Sequence, residues 1–199
     1  KNMKIYIPLV ILIIGTLFFT SCSSDEESAT TAAAAAGAAI STFNGTFNGT
    51  CAGANEKTDI VVISDTTAAE TTMVYSDSEC TTKSHANTLN YTVVSTTTAT
   101  VDAKSVTKIE GTTTTSLSTI YTDSRITNAN SGSWCGISDW VKNTAKDVTG
   151  LTCSNLNETY GSAGVKKYDI WYLSGSTFMH SGFNSDGYST SLDYSKTKE

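Results

Sequence analysis

The stretch Tyr168–His180, YDIWYLSGSTFMH, carries the clearest structural signal in the chain. Two runs rich in aromatic and β-branched residues flank Ser174-Gly175-Ser176, and a short glycine-containing connection between such runs is typical of a β-hairpin. Shorter runs of the same kind precede it at Ile60–Ile63 and Met73–Tyr75. In Leu89–Val93, apolar and polar residues alternate as expected for a strand with one wet face. The chain is therefore predicted to be mainly β.

Two further strands are expected in the middle of the chain. Val101, Val106 and Ile109 indicate one strand, Gly111 is expected to end it, and Thr112–Tyr121 begins the next. With the other runs, this gives about eight strands. We predict an antiparallel β-barrel, because closure removes the exposed edges that a threonine-rich sheet would otherwise present.

One segment departs from the strand pattern. In Ile137–Val148 the apolar residues recur at helical spacing, Ser138 is a suitable N-cap, and Gly150 stands where a C-terminal cap would. One short helix packed on the sheet is predicted here.

The N-terminal segment predicts export. Lys4 and the apolar run Ile5–Phe19 are typical of a secretory signal, and the run is too short to span a membrane as a helix. Thr20-Ser21-Cys22 resembles the lipobox of bacterial lipoproteins. That resemblance implies a lipoprotein signal peptide over 1–21 and lipid attachment, including palmitate, at Cys22. Cleavage without lipid and a retained signal-anchor are the alternatives.

A tether is expected over 22–42. It begins with the acidic cluster Ser23–Glu27 and continues into the alanine-rich run Ala32–Ala39. By resemblance to bacterial lipoproteins, Ser23 favours the outer membrane, and the acidic cluster indicates surface display. A solvated start to a spacer is the other interpretation of the cluster. The β-barrel domain is then expected over 43–199.

The charge balance limits the classes of partner. Without residues 1–21 the chain has 11 basic and 19 acidic groups, a net charge near −8. Nucleic acid and anionic lipid surfaces attract basic faces, so neither is an expected partner. Membrane attachment is expected through lipid chains at the N-terminus instead.

The four cysteines after Cys22 allow three pairings. We favour Cys51–Cys80 and Cys135–Cys153, because each pair lies at the ends of a neighbouring strand or helix unit. The compartment of an exported protein is also oxidising, which favours disulfides. A metal site is the alternative, but metal-binding cysteines usually come in close pairs. No metal or other cofactor is expected.

No nucleophile motif accompanies the two histidines, His85 and His180. His85 lies in a polar stretch that indicates a loop. Carboxylate pairs such as Asp77 and Glu79 stand among turn residues, where they usually cap turns. The protein is therefore expected not to be an enzyme.

A second resemblance concerns the domain. Gly49-Thr50-Cys51 and Tyr75–Thr82 resemble a pattern in small secreted bacterial proteins with lipocalin-like barrels, and the hairpin Tyr168–His180 is similar to their late strands. From the residues themselves, aromatic side chains concentrated in the last third either fill the core or line a pocket for a small apolar ligand. The candidate pocket residues are Trp140, Trp171, Tyr172 and Phe178.

Two functions therefore remain open. One is a lipid-anchored surface lipoprotein whose barrel binds a small apolar or amphipathic ligand. The other is an adhesion or structural module that acts through its Thr/Ser-rich outer face. Thr112–Thr115 is a run rather than a spaced ladder, which argues against a threonine array that binds ice or carbohydrate. The sequence identifies no protein partner.

Overall fold

The computed structural model describes residues 40–51, 56–153 and 158–199. The predicted signal peptide, Cys22 and the tether up to residue 39 lie outside these residues. The strands are β1 (Gly45–Asn48), β2 (Glu56–Ser64), β3 (Thr67–Tyr75), β4 (Lys83–Val101), β5 (Lys104–Ile120), β6 (Ala145–Asp147), β7 (Thr152–Cys153), β8 (Glu158–Thr159), β9 (Lys166–Ser174), β10 (Thr177–His180) and β11 (Tyr194–Lys198). The helices are α1 (Asp123–Ser131) and two 3-10 turns, Ser41–Phe43 and Trp134–Gly136.

Eight strands close into an antiparallel ring, as predicted. Their order is β4-β3-β2-β1-β11-β10-β9-β5, and β5 pairs back to β4. β6 pairs with β5, and β7 and β8 form a separate two-stranded sheet. The hairpin predicted from Tyr168–His180 is β9 and β10, which pair from Ser174 and Thr177 onward. Closure leaves the interior of an eight-stranded barrel just wide enough for packed side chains or one small ligand.

The register is staggered around the ring. Starting at Thr177 of β10, successive partners lie on β11, β1, β2, β3, β4 and β5. They are Thr197, Asn48, Asp59, Thr71, Thr88 and Leu117. On β5, however, pairing with β9 begins at Thr107. Stagger of this kind tilts the strands, as barrel closure requires.

The break expected at Gly111 is wrong, because β5 runs unbroken from Lys104 to Ile120. The chain turns earlier, between Val101 and Lys104. Gly111 pairs with Val93 at an irregularity in the β4–β5 register. A Cβ there would lie 3.6 Å from the Phe183 ring, an ordinary van der Waals contact, so Gly111 stands directly against this ring without breaking the strand.

The helix predicted over Ile137–Val148 is also misplaced. Asn143 in this segment has a left-handed φ of 61°, and Ala145–Asp147 forms β6 against β5. Trp140 and Val148 are nevertheless buried. The apolar residues at helical spacing therefore include buried positions, but the segment that carries them is not a helix. The short helix is α1, whose one buried residue is Ala129.

Three groups of buried side chains form the core. The first packs inside the ring and comprises Ile40, Phe43, Phe47, Ala68, Val93, Ile109, Trp171 and Phe178. The second lies under the connection from β5 to β9 and comprises Ile120, Ala129, Trp134, Cys135, Trp140, Val148, Cys153 and Tyr160. The third is Met73, Tyr75 and Ala86. The folded part includes Ile40, within the expected tether, since its side chain is fully buried.

Both favoured disulfides are confirmed. Cys51 is bonded to Cys80, and Cys135 to Cys153. The second bond joins the turn Trp134–Gly136 to β7.

Among the residues that the structure describes, none of the helices has the length and apolar character needed to cross a membrane.

Candidate functional site

A cavity of about 260 Å³ lies between the ring and the segment that follows β8. Its walls come from β3, β4 and that segment. The lining residues are Glu70, Thr72, Asn87, Thr88, Leu89, Tyr160 and Gly161. It combines one carboxyl, an amide and hydroxyls with apolar surface from leucine and tyrosine.

Strand alternation brings Glu70 to the cavity. Side chains two residues apart share a face of a strand, and Ala68, two residues before Glu70, is buried in the first core group. Thr72, two residues after it, also lines the cavity. In the register, Glu70 pairs with Leu89 of β4. The inward face of β3 therefore changes from apolar to polar at Glu70.

Tyr160 and Gly161 form the outer wall. The Tyr160 N–H donates to the Leu151 carbonyl at 3.1 Å, and the Ser116 hydroxyl donates to the Gly161 carbonyl at 3.1 Å. These bonds tie the wall both to the chain before β7 and to β5. The wall is thus part of the folded barrel.

Asn87 presents a defined hydrogen-bonding side to the cavity. Its Oδ1 accepts from the Ser118 hydroxyl at 2.9 Å and from the Tyr160 hydroxyl at 3.3 Å. A carbonyl oxygen has two lone pairs, so both are used within the protein. Asn87 therefore offers a ligand its NH₂ group, a donor.

Burial controls the charge of Glu70. The side chain is half-buried because the cavity opens onto it, but loss of hydration raises the pKa of the carboxyl. The charge of Asp169 also raises this pKa, whereas His180 and Lys196 lower it. The neutral acid is thus favoured up to a higher pH than for an exposed glutamate.

Asp169 organises a buried polar network beside the core. Its carboxylate accepts from the Trp171 indole N–H at 2.7 Å and the Ser181 hydroxyl at 2.7 Å. The backbone N–H groups of Ile170 and Ser181 donate at 2.8 and 2.9 Å. His180 Nδ1 lies 3.2 Å away. A fully buried carboxylate is stable only with partners of this kind, and Asp169 has them.

Lys196 is the buried cation of the ring. Its side chain is 5 % exposed, and its Nζ donates to the Thr58 carbonyl at 2.8 Å. Loss of hydration lowers the pKa of the amine. Lys196 is not among the lining residues of the cavity, but its charge lowers the pKa of the Glu70 carboxyl.

Of the four residues predicted as a possible apolar pocket, two contact each other and the other two lie elsewhere. Trp171 and Phe178 contact each other at 5.6 Å between ring centroids and are fully buried in the first core group. Trp140 packs on Trp134 in the second group. Tyr172 lies under the Lys104 ammonium, 5.9 Å from it. All four lie outside the cavity lining.

Sequence reasoning missed Glu70. The predicted strand began only at Met73, and the preceding Ala68-Ala69-Glu70 has no apolar alternation to extend it. His85 was also misplaced, since it lies on β4 and is 9 % exposed. Burial, aided by the charge of Arg125, lowers its pKa to about 4. His85 is therefore a neutral core residue at physiological pH.

Comparisons with known proteins give no assignment: no family model and no curated protein matches the chain. Within the described ranges, no group of three or more His, Cys, Asp or Glu side chains could hold a metal ion.

Proposed function

We propose that this chain is a lipid-anchored, non-enzymatic lipoprotein of the bacterial cell envelope whose barrel binds a small ligand. The observation that carries the binding function is the cavity at Glu70. Small-molecule sites are typically concave, partly apolar, and supplied with a few convergent polar groups. Leu89 and Tyr160 provide apolar surface, while Glu70 and Asn87 provide polar groups. The lining suits an amphipathic ligand better than a purely apolar one.

The envelope location rests on the N-terminal sequence and on the oxidised cysteines. Lys4, the apolar run and Cys22 favour export followed by lipidation and outer-membrane anchoring. Disulfides persist in oxidising compartments, and both cysteine pairs of the barrel are bonded. The acidic cluster Ser23–Glu27 supports display at the cell surface.

The absence of an enzymatic role in this proposal rests on how the polar groups are used. His180 and Ser181 both contact Asp169, and neither belongs to the cavity lining. The hydroxyl and the imidazole are thus engaged by one carboxylate, apart from the place where a ligand would bind.

Native mass spectrometry tests the binding function. The mature chain with Cys22→Ser is exported through an oxidising compartment and purified without detergent. We expect a mass addition that organic extraction removes, and its loss in Leu89→Trp, which fills the cavity. A purified chain that carries no addition and takes up none from a cell extract would contradict the proposal.

Incorporation of labelled palmitate into the wild type but not into Cys22→Ser tests the anchor. Surface display predicts that protease added to intact cells removes the protein.

A second candidate function is supported by the hairpin of β4 and β5. β4 pairs with β3 only up to Thr92, and its pairing with β5 continues to Val101. The part of β4 beyond its pairing with β3 carries exposed Thr97, Thr98 and Thr100, which fits an adhesion or structural module acting through a polar face. Replacing these three threonines with alanine would abolish surface attachment in this case and leave cavity binding intact.

A further inference from the structure

We propose that the cavity selects a small amphipathic cation, a primary ammonium compound with a short apolar group, and that the Glu70 carboxylate is its counter-ion. This inference rests on the proposed function of the cavity as a binding site. It adds the chemical class of the ligand.

The charge of the lining supports a cation. Among the described residues that line the cavity, Glu70 supplies a carboxyl, and there is no lysine, arginine or histidine. An anionic ligand would meet this carboxyl without a compensating cation in the wall. The net charge of the chain is −6 as a whole, so the wider field also attracts cations.

The two basic side chains whose charges act on Glu70 from within the ring, Lys196 and His180, have hydrogen-bond partners other than Glu70. Lys196 Nζ donates to the Thr58 carbonyl, and His180 Nδ1 contacts Asp169 at 3.2 Å. Neither forms an ion pair with Glu70 within 4.0 Å among the described residues. A ligand ammonium entering the cavity therefore meets a carboxyl that forms no ion pair with Lys196 or His180.

The rest of the lining sets the shape of the ligand. The Tyr160 ring and Leu89 present apolar surface, and an aromatic face also attracts cations. The NH₂ group of Asn87 suits a hydrogen-bond acceptor on the ligand, a few bonds from the ammonium. At about 260 Å³, the cavity is slightly below the range of about 300–1,000 Å³ typical for drug-sized molecules, so the ligand is small.

Binding is coupled to proton release. Loss of hydration raises the pKa of the Glu70 carboxyl, whereas a bound ammonium favours the carboxylate. The neutral acid therefore gives up one proton to solvent as the ammonium binds, and charge is conserved. The apparent affinity for an ammonium ligand rises with pH until Glu70 is ionised without ligand.

Three probes of similar size separate the ligand classes: benzylamine, benzyl alcohol and benzoate. Calorimetric titration of the full mature chain at mildly acidic pH, in two buffers of different ionisation enthalpy, gives affinity and the number of protons released. We expect benzylammonium to bind at least about tenfold more tightly than the other two, with a net release of protons that falls as the pH is raised. Glu70→Gln should lose that preference at least about tenfold, and Asp186→Asn, which removes an exposed carboxyl, should retain it.

Each alternative outcome is decisive. If benzyl alcohol binds as tightly as benzylamine, and Glu70→Gln changes neither, the cation inference is wrong and the cavity function stands. If no probe binds or shifts the NMR signals of Leu89 and Tyr160, both proposals fail. Should Glu70→Gln not fold, Leu89→Trp replaces it as the blocking variant. Benzylamine binding that survives in Leu89→Trp would place it elsewhere and overturn the inference.

Discussion

The buried carboxylate of Asp169 holds the hairpin of β9 and β10 to the chain that follows it. It joins β9 to the start of the connection after β10, through hydrogen bonds from Trp171 and Ser181. In Asp169→Ala these donors would remain buried without an acceptor. We expect a loss of about 3–5 kcal/mol in the free energy of unfolding, measured by urea denaturation. Asp186→Asn, at an exposed turn, should change it by less than about 0.5 kcal/mol. Equal effects of the two variants would contradict the role of the network.

Glu70 makes a pH-dependent contribution to the free energy of unfolding, and its sign follows from the direction of the pKa shift. Its folded pKa is raised above 4.5, so the folded state holds the proton more tightly than the unfolded state. The contribution to stability is fully present below pH 4.5 and is lost as pH rises through the folded pKa. We expect Glu70→Gln to gain stability relative to the wild type over this interval, by at most about 1.4 kcal/mol per pH unit. Urea denaturation at a series of pH values measures the difference. A difference that stays constant with pH would show that the carboxyl is not perturbed.

At the scale of the elements, the turn between β4 and β5 is strained. Asp102 and Ala103 both have left-handed backbones, with φ of 50° and 58°. A two-residue hairpin turn of this kind favours Asn-Gly or Asp-Gly, and alanine lacks the freedom of glycine there. Ala103→Gly should therefore raise the free energy of unfolding by about 0.5–1 kcal/mol. Ala99→Gly, in the adjoining strand, should lower it by a similar amount. Thermal unfolding of both variants checks the sign, and destabilisation by Ala103→Gly would refute the argument.

The elements differ in how far the sequence predicts them. β9, β10 and the middle of β4 were predictable, because their apolar residues alternate or cluster and their turns contain glycine or polar residues. α1 was not, since its segment Asp123–Ser131 has one buried residue and no apolar stripe. In contrast, the apolar spacing in Ile137–Val148 arose from an extended segment held by pairing between β5 and β6. Where the local sequence pattern was ambiguous, pairing with a distant strand therefore determined the secondary structure of the segment.

At the scale of the whole molecule, the cavity is a consequence of closure. Glu70 and Leu89 are neighbours because β3 pairs with β4, but Tyr160 reaches them only through the long connection after β5. Its hydroxyl contacts Asn87, 73 positions away in sequence. Such a contact has no local signature, so the sequence predicted a barrel but not this cavity. Of the aromatic residues that were expected either to fill the core or to line a pocket, Trp140, Trp171 and Phe178 are buried in the core.

Removing either of the two disulfides should lower the stability of the protein, but only one of the two removals should weaken ligand binding. On a chain-entropy estimate, the 18-residue separation of Cys135 and Cys153 and the 29-residue separation of Cys51 and Cys80 correspond to about 3 and 4 kcal/mol. Replacing either pair with serine should lower the free energy of unfolding by amounts of this order. The Cys135–Cys153 bond also fastens β7, which pairs with β8 directly before Tyr160. Its loss should loosen the wall and weaken benzylamine binding. Cys51 and Cys80 are not among the lining residues, so loss of their bond should leave binding by the folded protein unchanged. Calorimetry under conditions where both variants are folded tests this, and equal weakening would mean that the wall does not depend on the Cys135–Cys153 bond.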